Sequence, residues 1–127
     1  MRRAVPLVLL AVVMVGCTSS DVPAEEDFAA GTCRTAAADV RAVGEAIPRL
    51  GDGGEVDEDV KDDLREAQER LAAVADGAEP SLQPDLHELV VAIGIVRIRA
   101  DGNTYESEQG EALTRAYEQV LDACGAR

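Results

Sequence analysis

The feature that most constrains this chain is a repeated stop. Asp52-Gly53, Asp76-Gly77 and Asp101-Gly102 interrupt it and Gly125 closes it, with glycines 24, 25 and 23 residues apart. Between the stops, apolar residues recur at helical spacing. Cys33, Ala36, Val40, Val43, Ile47 and Leu50 form a first stripe, and Val60, Leu64, Ala67, Leu71 and Val74 a second. Leu82, Leu86, Leu89, Ile93 and Val96 form the third, and Leu113, Tyr117, Val120 and Cys124 the fourth. Steps of three and four set each stripe along one side of an amphipathic helix. Glycine just past a helix end is a common C-cap, so the spacing predicts four helix-plus-turn units of nearly equal length. Pro48 cannot donate to the carbonyl of Gly44, so the first helix kinks or ends there. Equal helices with short connections favour an all-α fold, an up-down-up-down four-helix bundle. The run VVAIGIVRIR, Val90 to Arg99, is also rich enough in β-branched residues for a strand. A lone strand among helices would leave its backbone groups unpaired, so the helical reading is preferred.

The N-terminus follows a different logic. Met1-Arg2-Arg3 precedes an uncharged run from Ala4 to Val15, the pattern of a secretory signal peptide. The run is shorter than the roughly 20 residues a membrane-spanning helix needs. The region ahead of it is too short for a twin-arginine signal built on Arg2-Arg3. Met14-Val15-Gly16-Cys17 resembles the lipobox of bacterial lipoproteins, with Met14 where leucine is usual. That resemblance implies cleavage of residues 1–16, a diacylglyceryl thioether on Cys17 and a further acyl chain, such as palmitate, on its freed amine. It implies a lipid-anchored protein on the extracytoplasmic face of the cell membrane, with the bilayer as a partner of Cys17. Several acyl chains anchor stably where one does not. The alternative is ordinary cleavage near Gly16, with Cys17 a free thiol in a secreted protein. Residues 17–27 then read as a lipidated cysteine and a flexible acidic tether, reaching at most ~35 Å when extended. Residues 28–127 are the four-helix domain.

Loss of Arg2 and Arg3 with the leader takes the formal net charge from −13 to −15. So acidic a surface excludes nucleic acid and anionic headgroups as partners. Phe28, Tyr105 and Tyr117 are the only aromatic residues, so the core must be built from Ala, Val, Leu and Ile. A small exported domain of this kind gains from a disulfide. In a four-helix up-down arrangement, Cys33 and Cys124 fall at the same pole, both on inward stripes. With three helices they would lie too far apart to bond. A Cys33–Cys124 disulfide is therefore expected, with two buried free thiols as the alternative.

Chemistry is sparse. Acids gather before the second helix (Asp52, Glu55, Asp57, Glu58, Asp59) and before the fourth (Asp101, Glu106, Glu108). They read as a docking surface for a basic partner or as a cation site, with Asp57, Asp59 and Asp101 as weak metal candidates. Neither run is a calcium loop of EF-hand type. From Asp57, Lys61 occupies the fifth place and Asp62 the sixth, where glycine is needed; from Asp101, Tyr105 is fifth and Ala112 twelfth. Acids at helix N-termini also complement the macrodipole, and Arg49, Arg97 and Arg99 should reach them from helix C-termini. His87 is the only histidine and has no second ligand to complete a transition-metal set. Ser81 and Ser107 sit where helix caps are expected. No nucleophile elbow or phosphate-cradling loop is present. Tyr105, Tyr117 and His87 are the possible haem ligands, but the aromatic-poor core offers no haem pocket. Neither a cofactor nor catalysis is expected.

The third helix is unusual. At about 100° per residue, Val91, Ile95 and Ile98 lie nearly opposite its inward stripe, flanked by Gly94 and His87. Either they form an interface, or Phe28 or the long first connection covers them. The favoured function is a small helical domain binding a protein partner or a second copy through this helix. The alternative is an extracytoplasmic cation- or small-ligand-binding protein.

Overall fold

A computed structural model describes residues 22–127 of the chain. These form four helices: α1, Thr32–Ala46; α2, Glu58–Asp76; α3, Gln83–Asp101; and α4, Ser107–Ala123. Among the described residues there is no strand, only an isolated antiparallel bridge between Gly53 and Glu106. The signal peptide over 1–16, Cys17 and the tether as far as Asp21 lie outside the described residues.

Each helix packs along its successor, and α1 also meets α4, so α1 and α3 stand diagonally in a helical bundle. Side-chain pairs give the sense of neighbouring helices. Arg49 meets Asp63 at 2.9 Å while Arg70 meets Asp39 at 3.5 Å, so α1 and α2 run in opposite directions. His87 lies 3.6 Å from Asp76 and Lys61 3.7 Å from Asp101, and α2 and α3 are likewise opposed. Cys33 and Cys124 are disulfide-bonded, with Cα atoms 5.5 Å apart.

The inward stripes fall where their spacing puts them. Val40, Val43, Val60, Leu64, Leu71, Leu86, Leu89, Ile93, Val96, Leu113 and Val120 are all buried. Each such side chain contributes roughly 1.5–3 kcal/mol on leaving water. Val90 to Arg99 is helical throughout, within α3. Helix α1 ends at Ala46, and a 3-10 turn over Ile47–Arg49 carries Pro48 near its start. This is the break that the missing N–H of proline imposes.

The ends of the helices depart from expectation in two ways. Gly77 and Gly102 are C-caps, but with φ of −104° and −85° neither is left-handed. After α3 the left-handed residue is Asn103 (φ 54°), and the Thr104 N–H closes the turn onto the Arg99 carbonyl at 2.8 Å. After α4 it is Gly125 (φ 64°), with the Ala126 N–H on the Leu121 carbonyl at 2.9 Å. Asparagine and glycine are the residues that reach this region at least cost. The serines are the second departure. Ser107 stands inside α4, where Gln109 Oε1 accepts the N–H of the N-cap residue Glu106 at 2.8 Å. Before α3 the Glu79 carbonyl accepts the N–H groups of both Leu82 and Gln83 at 2.9 Å. Neither Ser81 nor Ser107 stands at an N-cap position, which Leu82 and Glu106 occupy.

The expected tether is corrected at its C-terminal end. Glu25–Asp27 forms a 3-10 turn laid on α1. Arg41 Nε donates to the Pro23 carbonyl at 2.9 Å, and Arg34 donates to the carbonyls of Glu26 at 3.2 Å and Phe28 at 2.9 Å. Phe28 is buried, and the Ala29 N–H bonds the Cys124 carbonyl at 2.9 Å. Pro23 to Asp27 thus belong to the folded body rather than to a flexible linker.

Two glycines inside helices mark close approaches. A β-carbon at Gly44 would stand 2.6 Å from Tyr117 Oη and 2.8 Å from its Cζ, and one at Gly110 would overlap Tyr105 Oη. Glycine in a helix interior costs about 0.5–1 kcal/mol relative to alanine. Here the cost is offset by room for the only two tyrosines, both buried.

Candidate functional site

The feature that calls for a function is the outer side of α3. Val91, Ile95 and Ile98 are 60%, 47% and 74% exposed, and they are the large hydrophobic residues left in solvent among those described. Their inward counterparts Leu86, Leu89, Ile93 and Val96 are fully buried. The helix is therefore apolar on two opposite sides, and only one is spent on the core. Phe28 and the first connection do not cover the outer side. Phe28 is held at the disulfide pole by Arg34, and the connection turns to pair Gly53 with Glu106.

A shallow groove of about 220 Å³ runs beside the stripe, where Glu88, Val91, Ala92 and Ile95 face Gln109, Ala112 and Ala116 of α4. Small residues on α4 open it, since alanine leaves a gap where a longer side chain would meet α3. On the other flank, Gln68 of α2 lies over Gly94, its Nε2 2.8 Å from where a β-carbon would stand. Its Oε1 accepts from Arg97 at 2.5 Å and its Nε2 donates to the Val90 carbonyl at 3.4 Å. This link holds α3 in register and was not foreseen. The trace it leaves in sequence is Gly94 itself, a helix-interior glycine with no turn to justify it.

The acidic pole assembles differently from a cation site. Lys61 lies 2.6 Å from Glu58 and 3.7 Å from Asp101, and the Glu58 carboxylate holds its ammonium above the ordinary pKa. Asp101 is thus engaged by a cation of the chain. Among the described residues, no three His, Cys, Asp or Glu side chains are gathered as a metal ion requires. Asp57, Asp59 and Asp101 are not brought into one ligand set. Of the arginines expected to meet the acids at helix N-termini, Arg49 reaches Asp63 in the second turn of α2. Arg97 goes to the neutral amide of Gln68 in mid-helix, and Arg99 makes no ion pair among the described residues. Arg65 instead pairs with Asp62 within α2 at 3.2 Å. Each exposed pair of this kind is worth about 0–1 kcal/mol.

The same pole carries an open cleft of about 410 Å³ between the end of α1 and the start of α4, lined by residues including Asp52, Tyr105, Glu111 and Arg115. Tyr105 is buried, its hydroxyl 3.5 Å from the Gly51 carbonyl. Burial and then the Asp52 carboxylate push its phenol above the ordinary value. His87 is exposed at the other pole, beside Asp76. The structure does not bring His87, Tyr105 and Tyr117 together. Asp39 also has a raised pKa, because burial outweighs the opposing Arg70 guanidinium.

No protein-family model, curated protein or solved structure matches this chain. Among the described residues, no helix is long and apolar enough to cross a membrane.

Proposed function

We propose that this chain is a bacterial lipoprotein: exported by the signal peptide over 1–16, anchored through acylated Cys17 and displayed on the extracytoplasmic face of the cell membrane. Its domain is an up-down-up-down four-helix bundle that acts by binding protein through α3, with no catalytic step. The observation that carries the binding role is the exposure of Val91, Ile95 and Ile98 opposite a complete core. Contiguous exposed apolar side chains on a small soluble domain mark interaction sites. Export is supported by the cysteines. Cys33 and Cys124 are paired, a bond that persists in oxidising compartments, and Cys17 is the one cysteine left over. The anchored segment also enters along α1, diagonal to α3, so the apolar side faces away from the tether's attachment.

Metabolic labelling with a palmitate analogue tests the anchor. Label should enter the wild-type chain in a bacterial host and be absent from Cys17→Ala. Label retained in that variant, or absent from wild type, contradicts it.

A second reading, small-ligand binding, is favoured by the cleft at Tyr105. It predicts that a bound small molecule raises the melting midpoint with its concentration. A cation site at the acidic pole predicts the same for calcium beyond the effect of matched ionic strength.

A further inference from the structure

The charges that border the α3 stripe show what it fits. Taking Ile95 as the middle of the exposed side, helical geometry of about 100° per residue puts Val91, Ile98, Glu88 and Arg99 within about 60° of it. Glu88 and Arg99 both fall on the edge towards α4, one near each end. Both are exposed, and among the described residues neither takes part in an ion pair. The border is thus balanced, one acid and one base, on a chain whose net charge is −13.

That arrangement is self-complementary in one orientation only. A two-fold axis perpendicular to α3 keeps each edge of the stripe beside the same edge of the other copy and reverses its direction. Glu88 and Arg99 are equidistant from a point between Ile93 and Gly94, each about 8 Å along the helix from it at 1.5 Å per residue. Antiparallel pairing about that point sets Glu88 of each copy against Arg99 of the other, forming two ion pairs. It also places Val91 between Ile95 and Ile98 of the second copy, so the apolar side chains interleave. Parallel pairing, about an axis along α3, would instead bring this edge beside the opposite, apolar edge of the other copy at the level of its like charges, leaving Glu88 and Arg99 without opposite-charge partners. Isologous contacts of this type are the commonest way identical chains associate.

We propose that α3 is a homodimer interface, in which two copies pair antiparallel through Val91, Ile95 and Ile98 and are fixed in register by Glu88 and Arg99. The proposal rests on the reading of α3 as a protein-binding surface and names its partner. One helix pair covers less than the roughly 1,200–2,000 Å² of a stable interface, so the dimer is weak in dilute solution. Confinement of the tethered chains to one membrane raises their effective concentration and favours pairing.

The test uses the full chain in its native membranes, with a photoreactive phenylalanine analogue in place of Ile95. Irradiation should yield an adduct of twice the mass of the mature chain. Glu88→Arg or Arg99→Glu alone should each lower its yield about fivefold or more, and the two together should restore it. Each variant is first checked for an unchanged melting midpoint and an intact Cys33–Cys124 bond. A dimeric adduct indifferent to both reversals, or not restored by the pair, overturns the antiparallel register. An adduct with a different protein overturns self-association but leaves α3 a binding surface. Absence of any adduct overturns both.

Discussion

Gln68 in α2 fills the notch left by Gly94 in α3, and through its two amide atoms it holds both the Val90 carbonyl and Arg97. The notch costs helix propensity and returns a polar tie between helices whose outer sides are otherwise uneven. Glycines at Gly44 and Gly110 are spent in the same way, on tyrosine rings rather than on an amide.

The difference between these neighbours sets the first prediction. Gly44→Ala puts a methyl group against the buried ring of Tyr117, which cannot retreat. It should lower unfolding stability by about 1–3 kcal/mol. At Gly94 the clash is with the far end of a flexible side chain, and alanine regains about 0.8–1 kcal/mol of helix propensity. Gly94→Ala should remain within about 1 kcal/mol of wild type. Urea unfolding of both variants checks the contrast.

The disulfide joins residues 91 apart in sequence. Closing a loop of that length restricts the unfolded chain by about 4–5 kcal/mol in the chain-entropy model. The Cys33→Ala/Cys124→Ala variant should lose several kcal/mol and shift its urea midpoint accordingly. A loss under about 1 kcal/mol would mean that the docked segment from Pro23 to Phe28 already holds that pole.

Phe28 anchors that segment. Its ring is buried, while its carbonyl is held by Arg34. Phe28→Ala should cost about 3–5 kcal/mol, as for other buried aromatic residues. Arg34→Ala should cost less, because hydrogen bonds from a charged donor are worth about 0.5–3 kcal/mol. Hydrogen exchange at the Ala29 amide should rise in both variants, since each frees its bond to Cys124.

Alkaline pH should weaken the fold. The folded-state pKa of Tyr105 lies above the ordinary 10.0 because of burial and Asp52. The unfolded chain therefore releases this proton first, and stability falls as pH rises above about 10 towards the folded value. Lys61, raised by Glu58, acts in the same direction above 10.5. Tyr105→Phe should flatten the decline of stability with pH in this window, leaving the part that Lys61 contributes.

Much of the architecture is legible in residues alone. Four stripes and near-equal Asp-Gly intervals mark the helices, and the positions of Cys33 and Cys124 mark the closure. The outer apolar side of α3 follows from angular position, because Val91, Ile95 and Ile98 cannot share a face with Leu89 and Ile93. What covers it could not be read, since Phe28 could have folded either way. The docking of Pro23 to Asp27 was hidden for another reason. Arg34 and Arg41 seize backbone carbonyls there, and carbonyls leave no mark in a side-chain pattern. The acids of the pole looked like ligands because composition does not reveal that Lys61 reaches Asp101 across two helices.

The claim that places all of this at a membrane is acylation of Cys17, and intact mass of the chain extracted from bacterial membranes tests it most directly. The account predicts a polypeptide beginning at Cys17, carrying the mass of a diacylglyceryl group and a further acyl chain, with Cys33 and Cys124 oxidised. A chain that retains residues 1–16, or one cleaved there with an unmodified cysteine thiol, would contradict it.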